Sequence, residues 1–400
     1  MRKKILMLTT IYPSPDFTLL NSTNVCHYFA KEWVELGYEV KVIFNYPVYS
    51  KIVHKIADLL GNRVASIGQS YFITKRITDV LKYEMDGVSI SRIPLYKALP
   101  KLAVKSSVLN KQVQLIQQEL NKEDFIPDVI VSHFCYPHLE MMAQLKDIYG
   151  SKTTIVNHIQ SLPLKRFIGS HYKDYFKKID VWGFRSSNIK KEFEKQFGFQ
   201  HDTFICYSGV PKEYIQEKGK QGKSKITNFV YVGSLIARKH PIQVLYGLEK
   251  SKSLDKYSLT YVGEGVERNK IQKSIDNSSL RGLVDLKGNL KRIEVLNCLD
   301  QADCFIMISQ GETFGLVYLE AMGRGLITIA SKGEGMDEII KDGENGFFCS
   351  PGNPNELAKV IDRINALSVN ERTRISENAI KTAKQFSDKA VAVNYLNAIT

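Results

Sequence analysis

The stretch Gly311-Glu-Thr-Phe-Gly-Leu-Val-Tyr-Leu-Glu320 joins two different sequence patterns. The apolar run at 302–309 before it predicts a buried strand, and Phe314-Gly315 interrupts that run. Leu316 to Met322 then contains good helix formers and predicts a helix. In open α/β sheets, ligands bind at such strand–loop–helix junctions, where the helix N-terminus favours an anion.

Glu312 and Glu320 flank the start of this predicted helix. A fully helical segment between them would span about 12 Å, which exceeds the carboxylate separation of about 5 Å in a retaining glycosidase. The pair therefore does not resemble a hydrolytic acid and nucleophile. It suits a ligand with hydroxyls at both ends and phosphates between them, such as a nucleotide sugar. The alternative is one loop carboxylate and one solvent-facing helix carboxylate, since glutamates at this spacing are common.

Strand-like and helical patterns alternate along all 400 residues, which predicts an α/β protein with parallel sheets. The length exceeds one ordinary core, so we expect two Rossmann-like domains. The first domain is predicted at 1–210, a solvated linker rich in Lys, Gly and Gln at 211–225, and the second domain at 226–386. Strands are predicted at 5–10, 39–44, 88–93, 128–133, 153–158, 229–232, 258–262, 284–287, 303–309 and 326–330.

The bulk composition is that of an ordinary globular protein, with 44% hydrophobic and 24% charged residues. The sequence has no run of about 18 apolar residues, so no transmembrane helix is expected. The short apolar run after Met1-Arg-Lys-Lys fits a buried first strand better than a signal peptide. The six cysteines form no CxxC pair and no cluster with histidines, which predicts buried thiols in a reducing cytoplasm.

Much of the net charge of +13 is concentrated in residues 51–112, which hold eleven Lys and Arg against four Asp and Glu. Aromatic and aliphatic residues are interleaved with these charges. The region is either a solvated basic surface or a contact with anionic lipid headgroups or a lipid-diphosphate acceptor. Nucleic acid is a poorer fit, because the sequence has no zinc-finger, RNP-like or helix-turn-helix signature.

The stretch Tyr231-Val-Gly-Ser-Leu-Ile-Ala-Arg-Lys-His240 also predicts a strand, a glycine loop and a helix. Gly233 permits close backbone approach, and Arg238 and Lys239 place cations where a diphosphate would lie. An exposed basic turn is the alternative. The stretch 331–340 repeats the same order. Further along, Asn355 is the expected cap of the next helix, and the turn at 342–346 is expected to form a short hairpin.

Two histidines are expected at the carboxyl ends of strands, because His158 ends the apolar run 153–158 and His133 ends another run. Both would then face a ligand cleft, although a partly buried structural imidazole is the alternative for each. Gly263-Glu-Gly265 also follows a predicted strand. Arg268 stands where a dinucleotide-binding fingerprint has its third glycine, so NAD binding is not expected.

Together these motifs resemble the GT4-type family of retaining, GT-B-fold glycosyltransferases, the glycosyl transferases group 1, most strongly at 229–386. The family's glycine-glutamate-x-phenylalanine-glycine motif and its second glutamate correspond to 311–322, its VGRL…KG loop to 232–240, and its GGxxEII-x-DGxNG run to the stretch ending at Gly346. The resemblance implies a GT-B fold, in which two Rossmann-like domains with parallel sheets face each other across a cleft. It also implies that a C-terminal helix at about 387–400 completes the N-terminal acceptor domain.

The resemblance further implies a donor site in the C-terminal domain and a cleft histidine in the N-terminal domain. Glu320 would hold the ribose of the donor, and Lys239 would neutralise its diphosphate. Glu312 and His158 would be the catalytic residues beside the transferred sugar. The other implied donor contacts are Gly233, Ser234, Arg238, Asn289, Leu290 and the backbone of Thr313, Phe314, Gly315 and Leu316.

Three positions depart from the family pattern. Ser234 stands where the family has an arginine, which leaves open whether Arg238 takes over its phosphate contact. The loop 19–24 reads Leu-Leu-Asn-Ser-Thr-Asn and lacks the family's glycine pair. Ser208 replaces an asparagine, which is a milder change.

We therefore expect a hexosyltransferase-like enzyme that moves a sugar from a UDP-, GDP- or ADP-sugar to an acceptor hydroxyl, retains the anomeric configuration, and needs no metal or other cofactor. The acceptor is expected to be a glycan or lipid-linked molecule in surface polysaccharide or glycoconjugate synthesis. The protein is expected to be cytoplasmic, or peripheral at the inner face of the membrane. The alternatives are a sugar-nucleotide epimerase on the same fold and a non-catalytic scaffold that binds nucleotide sugars.

Overall fold

The fold divides into two compact units in a computed structural model that describes residues 2–17, 24–60, 76–99, 102–158, 171–198, 201–276 and 282–400. The first unit comprises Met1–Tyr207 and Asp388–Thr400, and the second unit comprises Ser208–Ser387. Each unit contains one predominantly or wholly parallel sheet with helices between successive strands. The predicted α/β class and the two Rossmann-like domains are therefore confirmed.

The first unit is built on an eight-stranded sheet. Its strands are β1 (Lys4–Thr9), β2 (Glu39–Val48), β3 (Leu81–Met85), β4 (Val88–Tyr96), β5 (Val129–His133), β6 (Lys152–Asn157), β7 (Val181–Phe184) and β8 (Asp202–Ile205). The strand order is β3-β4-β2-β1-β5-β6-β7-β8, and only the β3–β4 pair is antiparallel. Since β1 and β5 are neighbours, the order reverses beside β1, and ligands bind at such reversals in α/β sheets.

Helices of the first unit cover a sheet whose central strands are buried on both faces, as in β1 and β5. They are α1 (Val25–Glu35), α2 (Lys51–Leu60), α3 (Ser106–Asn121), α4 (Cys135–Tyr149), α5 (Tyr172–Phe176), α6 (Ser187–Phe197) and the final helix, α13 (Asp388–Ile399). Gly37 follows α1 with a φ of +93°, a backbone conformation that favours glycine and ends the helix as expected.

Aromatic packing attaches α13 to the first unit. The Tyr395 ring makes edge contacts with Phe29 and Trp33, with centroids 5.1 and 5.0 Å away. The indole nitrogen of Trp33 donates a hydrogen bond to the carbonyl of Ala392. All three aromatic side chains are almost completely buried, so the last helix belongs to the core of the first unit.

The second unit is built on a six-stranded sheet, all parallel. Its strands are β9 (Asn228–Val232), β10 (Ser258–Val262), β11 (Val284–Leu286), β12 (Cys304–Ile306), β13 (Ile327–Ser331) and β14 (Phe347–Cys349). Its helices are α7 (Pro241–Lys250), α8 (Arg268–Asp276), α9 (Arg292–Gln301), α10 (Leu316–Gly323), α11 (Pro354–Ala366) and α12 (Val369–Gln385). The strand order is β11-β10-β9-β12-β13-β14, which reverses between β9 and β12.

The stretch 211–225, predicted as a linker between the two units, is part of the second unit, although eight of its fifteen residues are exposed. Tyr214 is only 1% exposed. Lys220 Nζ donates hydrogen bonds to the carbonyl oxygens of Leu299 and Asp300 at the end of α9. A composition rich in Lys and Gly predicted solvent exposure, but the lysine here satisfies carbonyls that the helix end leaves unpaired.

Two local predictions in the second unit were wrong. The cap of α11 is Asn353 and not Asn355, because the Asn353 side chain accepts a hydrogen bond from the Glu356 amide at 3.1 Å. The turn at 342–346 forms no hairpin, because it leads into β14, which pairs in parallel with β13. Among the described residues, no helix is long and apolar enough to cross a membrane.

Parts of two stretches that the sequence singled out fall outside the described residues. Residues 19–23 of the loop without the glycine pair lie outside them. So do 61–75 and 100–101 of the basic region.

Two substitutions of Tyr395 should affect the free energy of unfolding differently. This hydroxyl is buried and has no hydrogen-bond partner, whereas the ring packs on α1. Tyr395→Ala should lower the free energy of unfolding by about 3–5 kcal/mol, as for other buried aromatics. Tyr395→Phe should be neutral or stabilising, because it removes an unsatisfied polar group. Chemical denaturation of both variants checks this, and equal losses would contradict the packing role.

Candidate functional site

The candidate ligand site of the second unit lies at the carboxyl edge of its sheet, where β9 and β12 are neighbours. The loop after β9 contains Gly233 and Lys239, and the loop after β12 contains Glu312. Because the strand order reverses here, the two loops leave the same edge and connect to helices on opposite faces. The topology therefore brings together residues that are distant in sequence.

Glu312 is the meeting point of the two loops. Its Oε2 lies 3.4 Å from Lys239 Nζ and 4.0 Å from a guanidinium nitrogen of Arg238. The Glu312 and Lys239 side chains are only 13% and 15% exposed. Glu312 Oε2 is nevertheless buried without any hydrogen-bond partner. An oxygen in this state is stabilised by the two nearby cations and still has an unused capacity to accept a hydrogen bond.

The Lys239 ammonium lies close to the residues that follow β9 and β12. A Cβ at Gly233 would stand 3.4 Å from Met307 Sδ and 3.5 Å from Lys239 Nζ, which is ordinary contact distance. Lys239 itself ends a short 3₁₀ turn, Ala237–Lys239. Its ammonium is therefore held over the junction of the two strands, where an anion would approach the sheet edge.

Two glycines near the start of α10 lie so close to other atoms that a side chain would not fit. Gly315 precedes the helix with a φ of +81°, and a Cβ there would collide with the Tyr318 ring at 2.5 Å. A Cβ at Gly335 would stand 2.6 Å from Phe314 Cα and 2.8 Å from the Thr313 carbonyl oxygen. The backbone from Thr313 to Leu316 is therefore fixed in one path, as a site formed from backbone amides requires.

Glu334 is a residue of this site to which the sequence assigned no role. Its two carboxylate oxygens accept hydrogen bonds from the amides of Gly311 and Glu312, at 2.9 and 2.8 Å. The two partners lie more than 20 residues before it. The only signal was a glutamate where the family run GGxxEII has a glycine, since the chain reads Glu334-Gly335 there.

Glu320 lies on α10 and is paired with a cation from α9. Its Oε1 lies 3.6 Å from the guanidinium of Arg292, and its side chain is 14% exposed. Burial raises the pKa of the Glu320 carboxyl to about 7, although the Arg292 charge opposes this shift. Arg292 also lies over the Tyr214 ring, 4.7 Å from its centroid. Sequence patterns did not single out Arg292 or Tyr214.

The predicted base region, Asn289 and Leu290, follows β11 at the same edge of the sheet. Asn289 is exposed and Leu290 is half-buried. The neighbouring Gly288 accepts a hydrogen bond at its carbonyl from the Gly263 amide, at 2.7 Å. A Cβ at Gly263 would lie 2.1 Å from the Gly233 carbonyl oxygen, so this glycine serves a backbone crossing between loops.

Arg238 and Ser234, both in the loop after β9, each take part in hydrogen bonds within the second unit. A guanidinium nitrogen of Arg238 donates to the carbonyl oxygens of Gln310 and Gly311, both at 3.3 Å. Ser234 is half-buried, and its carbonyl oxygen accepts a hydrogen bond from the Tyr231 hydroxyl. Arg238 therefore braces the loop after β12.

The first unit brings its two strand-end histidines together. His133 ends β5, and His158 directly follows β6. His133 Nδ1 and His158 Nε2 lie 3.0 Å apart. Burial lowers the pKa of His133 to about 3, and burial together with His133 lowers the pKa of His158 well below its usual value. Both rings are therefore neutral at pH 7.

The shared proton of this pair is best placed on His133. His133 Nε2 is buried without a hydrogen-bond partner. A buried N–H without an acceptor is rarer and more costly than an unused lone pair. This favours the tautomer in which His133 Nδ1–H donates to His158 Nε2, which leaves the proton of His158 on Nδ1.

A buried network supports the turn next to His158. The His158 ring stacks on Phe134, with centroids 4.3 Å apart, and Phe134 has an unusual φ of +75°. His138 Nδ1 lies 3.1 Å from the Phe134 carbonyl oxygen, and His138 Nε2 lies 3.2 Å from Asn45 Nδ2. Burial lowers the pKa of His138 to about 4, so it is neutral and donates to the carbonyl. No pattern in the sequence connects Asn45 with this turn.

The chain is similar to known sequences over much of its length. Residues 212–382 match the family described as glycosyl transferases group 1. An uncharacterized glycosyltransferase of Methanocaldococcus jannaschii is 27% identical over 65% of this chain and 71% of its own length. The alpha-monoglucosyldiacylglycerol synthase of Acholeplasma laidlawii is 25% identical over 80% of this chain and 85% of its own length.

The chain is also similar to solved structures from end to end. A glycosyltransferase from Rickettsia africae has a TM-score of 0.71 at 17% identity, with 99% of this chain and 97% of that chain covered. Anabaena HepE, solved with UDP and glucose, has a TM-score of 0.67 at 15% identity, with 99% of each chain covered. At these identities the likeness establishes the fold. Residues 212–382 thus match the glycosyl transferases group 1, and the chain has the GT-B fold.

Proposed function

We propose that this glycosyltransferase moves a sugar from a nucleoside diphosphate sugar to an acceptor hydroxyl and retains the anomeric configuration. The observation that carries the proposal is the buried Glu312 Oε2, which lies beside Lys239 and has no hydrogen-bond partner. A sugar hydroxyl would supply that partner, and the lysine would neutralise the adjoining diphosphate. HepE, a protein of the same fold, is described in complex with UDP and glucose, which supports a donor of this class.

In this proposal each part of the site meets one part of the donor. Glu320 accepts hydrogen bonds from the ribose, and the loop at Asn289 and Leu290 lies beside the base. Backbone amides from Thr313 to Leu316 contact the sugar and phosphate. Lys239 and the N-terminus of α10 stabilise the leaving diphosphate, where a helix N-terminus contributes about 0.3–1 kcal/mol, or about 2 kcal/mol when partly buried. Each charged hydrogen bond adds about 1.5–3 kcal/mol.

We propose that His158 acts beside the transferred sugar. Its neutral imidazole is a hydrogen-bond partner for a sugar or acceptor hydroxyl and carries no charge that would oppose positive charge on the sugar ring. His133 holds the ring by a hydrogen bond and Phe134 holds it by stacking. This fixed ring would orient one hydroxyl without exchanging a proton with solvent.

Two alternatives make different demands on the site. An epimerase would change the donor alone and would need no acceptor. A scaffold would bind a nucleoside diphosphate without turnover. The unpartnered Glu312 Oε2 supports a site built around a sugar as well as a nucleotide, which all three functions share, so transfer to an acceptor is the property that separates the transferase from both alternatives.

The first test is a thermal-shift panel of UDP, GDP and ADP and their glucose conjugates. A ligand at a hundredfold its Kd stabilises the folded state by about 2.7 kcal/mol. The best donor is then incubated with candidate glycan and lipid acceptors, and NMR reports the anomeric configuration of the product. We expect retention, and we expect turnover to persist in a chelator because Lys239 takes the role of a metal. Inversion, or activity that only magnesium or manganese restores, would contradict the proposal.

A second prediction follows from Glu320. Its raised pKa means that the free protein holds a proton on Glu320 below about pH 7, whereas binding the ribose favours the carboxylate. The affinity for the nucleoside diphosphate should therefore fall about tenfold from pH 8 to pH 6. Glu320→Gln should bind more weakly at pH 8 and should lose this part of the pH dependence, as calorimetry would measure.

The stability of the same variant gives an internal control. A carboxyl whose pKa is raised on folding stabilises the folded state most at low pH, and this contribution is lost as pH rises from about 4.5 to about 7. Glu320→Gln should thus melt close to the wild type at pH 5 and above it at pH 8. If the nucleotide affinities of both proteins depend on pH in the same way, Glu320 is not the ribose partner.

We further propose that the first unit binds an anionic membrane surface through α2. Ile52, Ile56 and Leu59 form one stripe on this helix and are 70%, 49% and 85% exposed. Lys51 and Lys55 are exposed on the same helix. An apolar stripe beside lysines is the pattern of a helix that lies in the membrane interface. A lipid-linked acceptor in surface polysaccharide or glycoconjugate synthesis would be reached from such a surface.

Vesicle sedimentation tests this membrane contact. The wild type should bind vesicles that contain phosphatidylglycerol and should bind less at high salt or with phosphatidylcholine alone. Replacing Ile52 and Leu59 by serine should weaken binding roughly tenfold, because apolar area is no longer buried in lipid. Ile148→Ser is the matched control, since Ile148 is an exposed isoleucine of the same unit on α4. Equal binding by all three proteins would contradict the role of α2.

A further inference from the structure

We propose that Glu334 is a positioning residue for the donor sugar, because it fixes the backbone on which Glu312 stands. The inference rests on the proposed function, in which Glu312 meets the sugar. It names a residue that acts through Glu312 without touching the donor. The two carboxylates therefore have different roles, one toward the ligand and one toward the protein.

The contact between Glu334 and the loop after β12 is bidentate. One oxygen accepts from the Gly311 amide at 2.9 Å, and the other accepts from the Glu312 amide at 2.8 Å. Gly311 has a φ of +66°, a conformation that lets successive amides converge on one anion. Hydrogen bonds from amides to a carboxylate are stronger than those between neutral groups.

The residue after Glu334 also forms a hydrogen bond with the backbone of Glu312. The Gly335 amide donates to the Glu312 carbonyl oxygen at 3.2 Å. The peptide groups on both sides of Glu312 are thus bonded to one turn of two residues. Only the side-chain torsions of Glu312 remain to be set, and its burial beside Lys239 restricts them. The direction in which its unpartnered oxygen points therefore depends on Glu334.

The carboxylate of Glu334 also keeps these two amides from other anions. Without it, the convergent amides of Gly311 and Glu312 would attract a donor phosphate or a side-chain carboxylate. Glu312 itself is the nearest such side chain along the chain. A carboxylate from elsewhere in the sequence therefore frees Glu312 for the sugar, which a glycine at position 334 cannot do.

Asp337 provides a matched control in the same turn. Its Oδ1 accepts a hydrogen bond from the Gly333 amide at 2.8 Å, and Gly333 has a φ of +74°. This contact is also a carboxylate held by the amide of a left-handed glycine. The Gly333 amide lies outside the loop after β12, so the loss of this contact perturbs the turn without releasing the amides of Gly311 and Glu312.

The test uses the full chain with Glu334→Gln, Asp337→Asn, Glu312→Gln and the double variant of Glu334 and Glu312. Glutamine keeps the size of Glu334 but places an NH₂ group against one amide. The probes are UDP and UDP-glucose, or the GDP or ADP pair if that pair stabilises the wild type more. Calorimetry gives both affinities. Release of the nucleoside diphosphate gives kcat and KM, with the sugar transferred to the acceptor that the wild type uses best or, where no acceptor is used, to water.

We expect Glu334→Gln to keep its affinity for the nucleoside diphosphate within twofold of the wild type. Its kcat/KM for the sugar nucleotide should fall ten- to a hundredfold, and the sugar should no longer add to the affinity. Asp337→Asn should resemble the wild type. The double variant should be no worse than Glu312→Gln alone, because Glu334 acts through Glu312 and the two losses do not add.

Hydrogen exchange in the ligand-free protein tests the first step independently of any donor. Residues 310–316 should exchange faster in Glu334→Gln than in the wild type or in Asp337→Asn. The inference is overturned if exchange is unchanged, if the losses of the two glutamate variants multiply, or if Asp337→Asn shows the same loss. If the wild type binds no nucleoside diphosphate, the proposed function fails, while the exchange result still decides whether Glu334 holds the loop.

Discussion

Parallel strands β9 and β12 lie side by side, yet the chain leaves their carboxyl ends toward opposite faces of the sheet. The space between the two departing loops cannot be filled by either connection, and this constraint creates the candidate donor site. Lys239 enters this space from one loop and Glu312 from the other. Gly263 and Gly335 let the loop backbones pass at distances that a Cβ would prevent. Glu320 lies on α10, the short helix that follows the loop with Glu312.

Charges that are buried before a ligand arrives need partners in the free protein. Lys239 lies beside Glu312 and Arg292 lies beside Glu320, so each carboxylate has one cation near it. Neither pair is complete, since Glu312 Oε2 makes no hydrogen bond and the pKa of Glu320 is raised to about 7. Incomplete pairing costs stability, because a buried charge is stabilised only when its hydrogen bonds are made. In the proposed mechanism, donor hydroxyls supply those hydrogen bonds, which turns a stability cost into binding energy.

The sequence predicted the strands and loops that are determined by neighbouring residues. The apolar runs located β1, β9 and β10 to within a residue, because buried parallel strands are continuously apolar. The apolar run at 302–309 is longer than its strand, because β12 comprises only Cys304–Ile306. The residues that follow are apolar or small because they are buried in the loop. The glycine motifs located the site loops. Glu334 and Arg292 were not assigned, because each reaches its partner across more than 20 residues and no periodicity records such a contact.

Position 234 is a serine where the family has an arginine, and Arg238, the nearby cation, holds the backbone of the loop after β12. Arg238 donates to the carbonyl oxygens of Gln310 and Gly311, while Glu334 accepts from the amides that follow. Opposite charges thus hold successive peptide groups from two sides, and the guanidinium is engaged in that contact. In the proposed mechanism the diphosphate then depends mainly on Lys239. The lysine would be shared between the diphosphate and Glu312, so Glu312 would lose part of its pairing as the nucleotide binds. Only a sugar hydroxyl could restore that pairing, which would make the site favour a whole sugar nucleotide over the nucleotide alone.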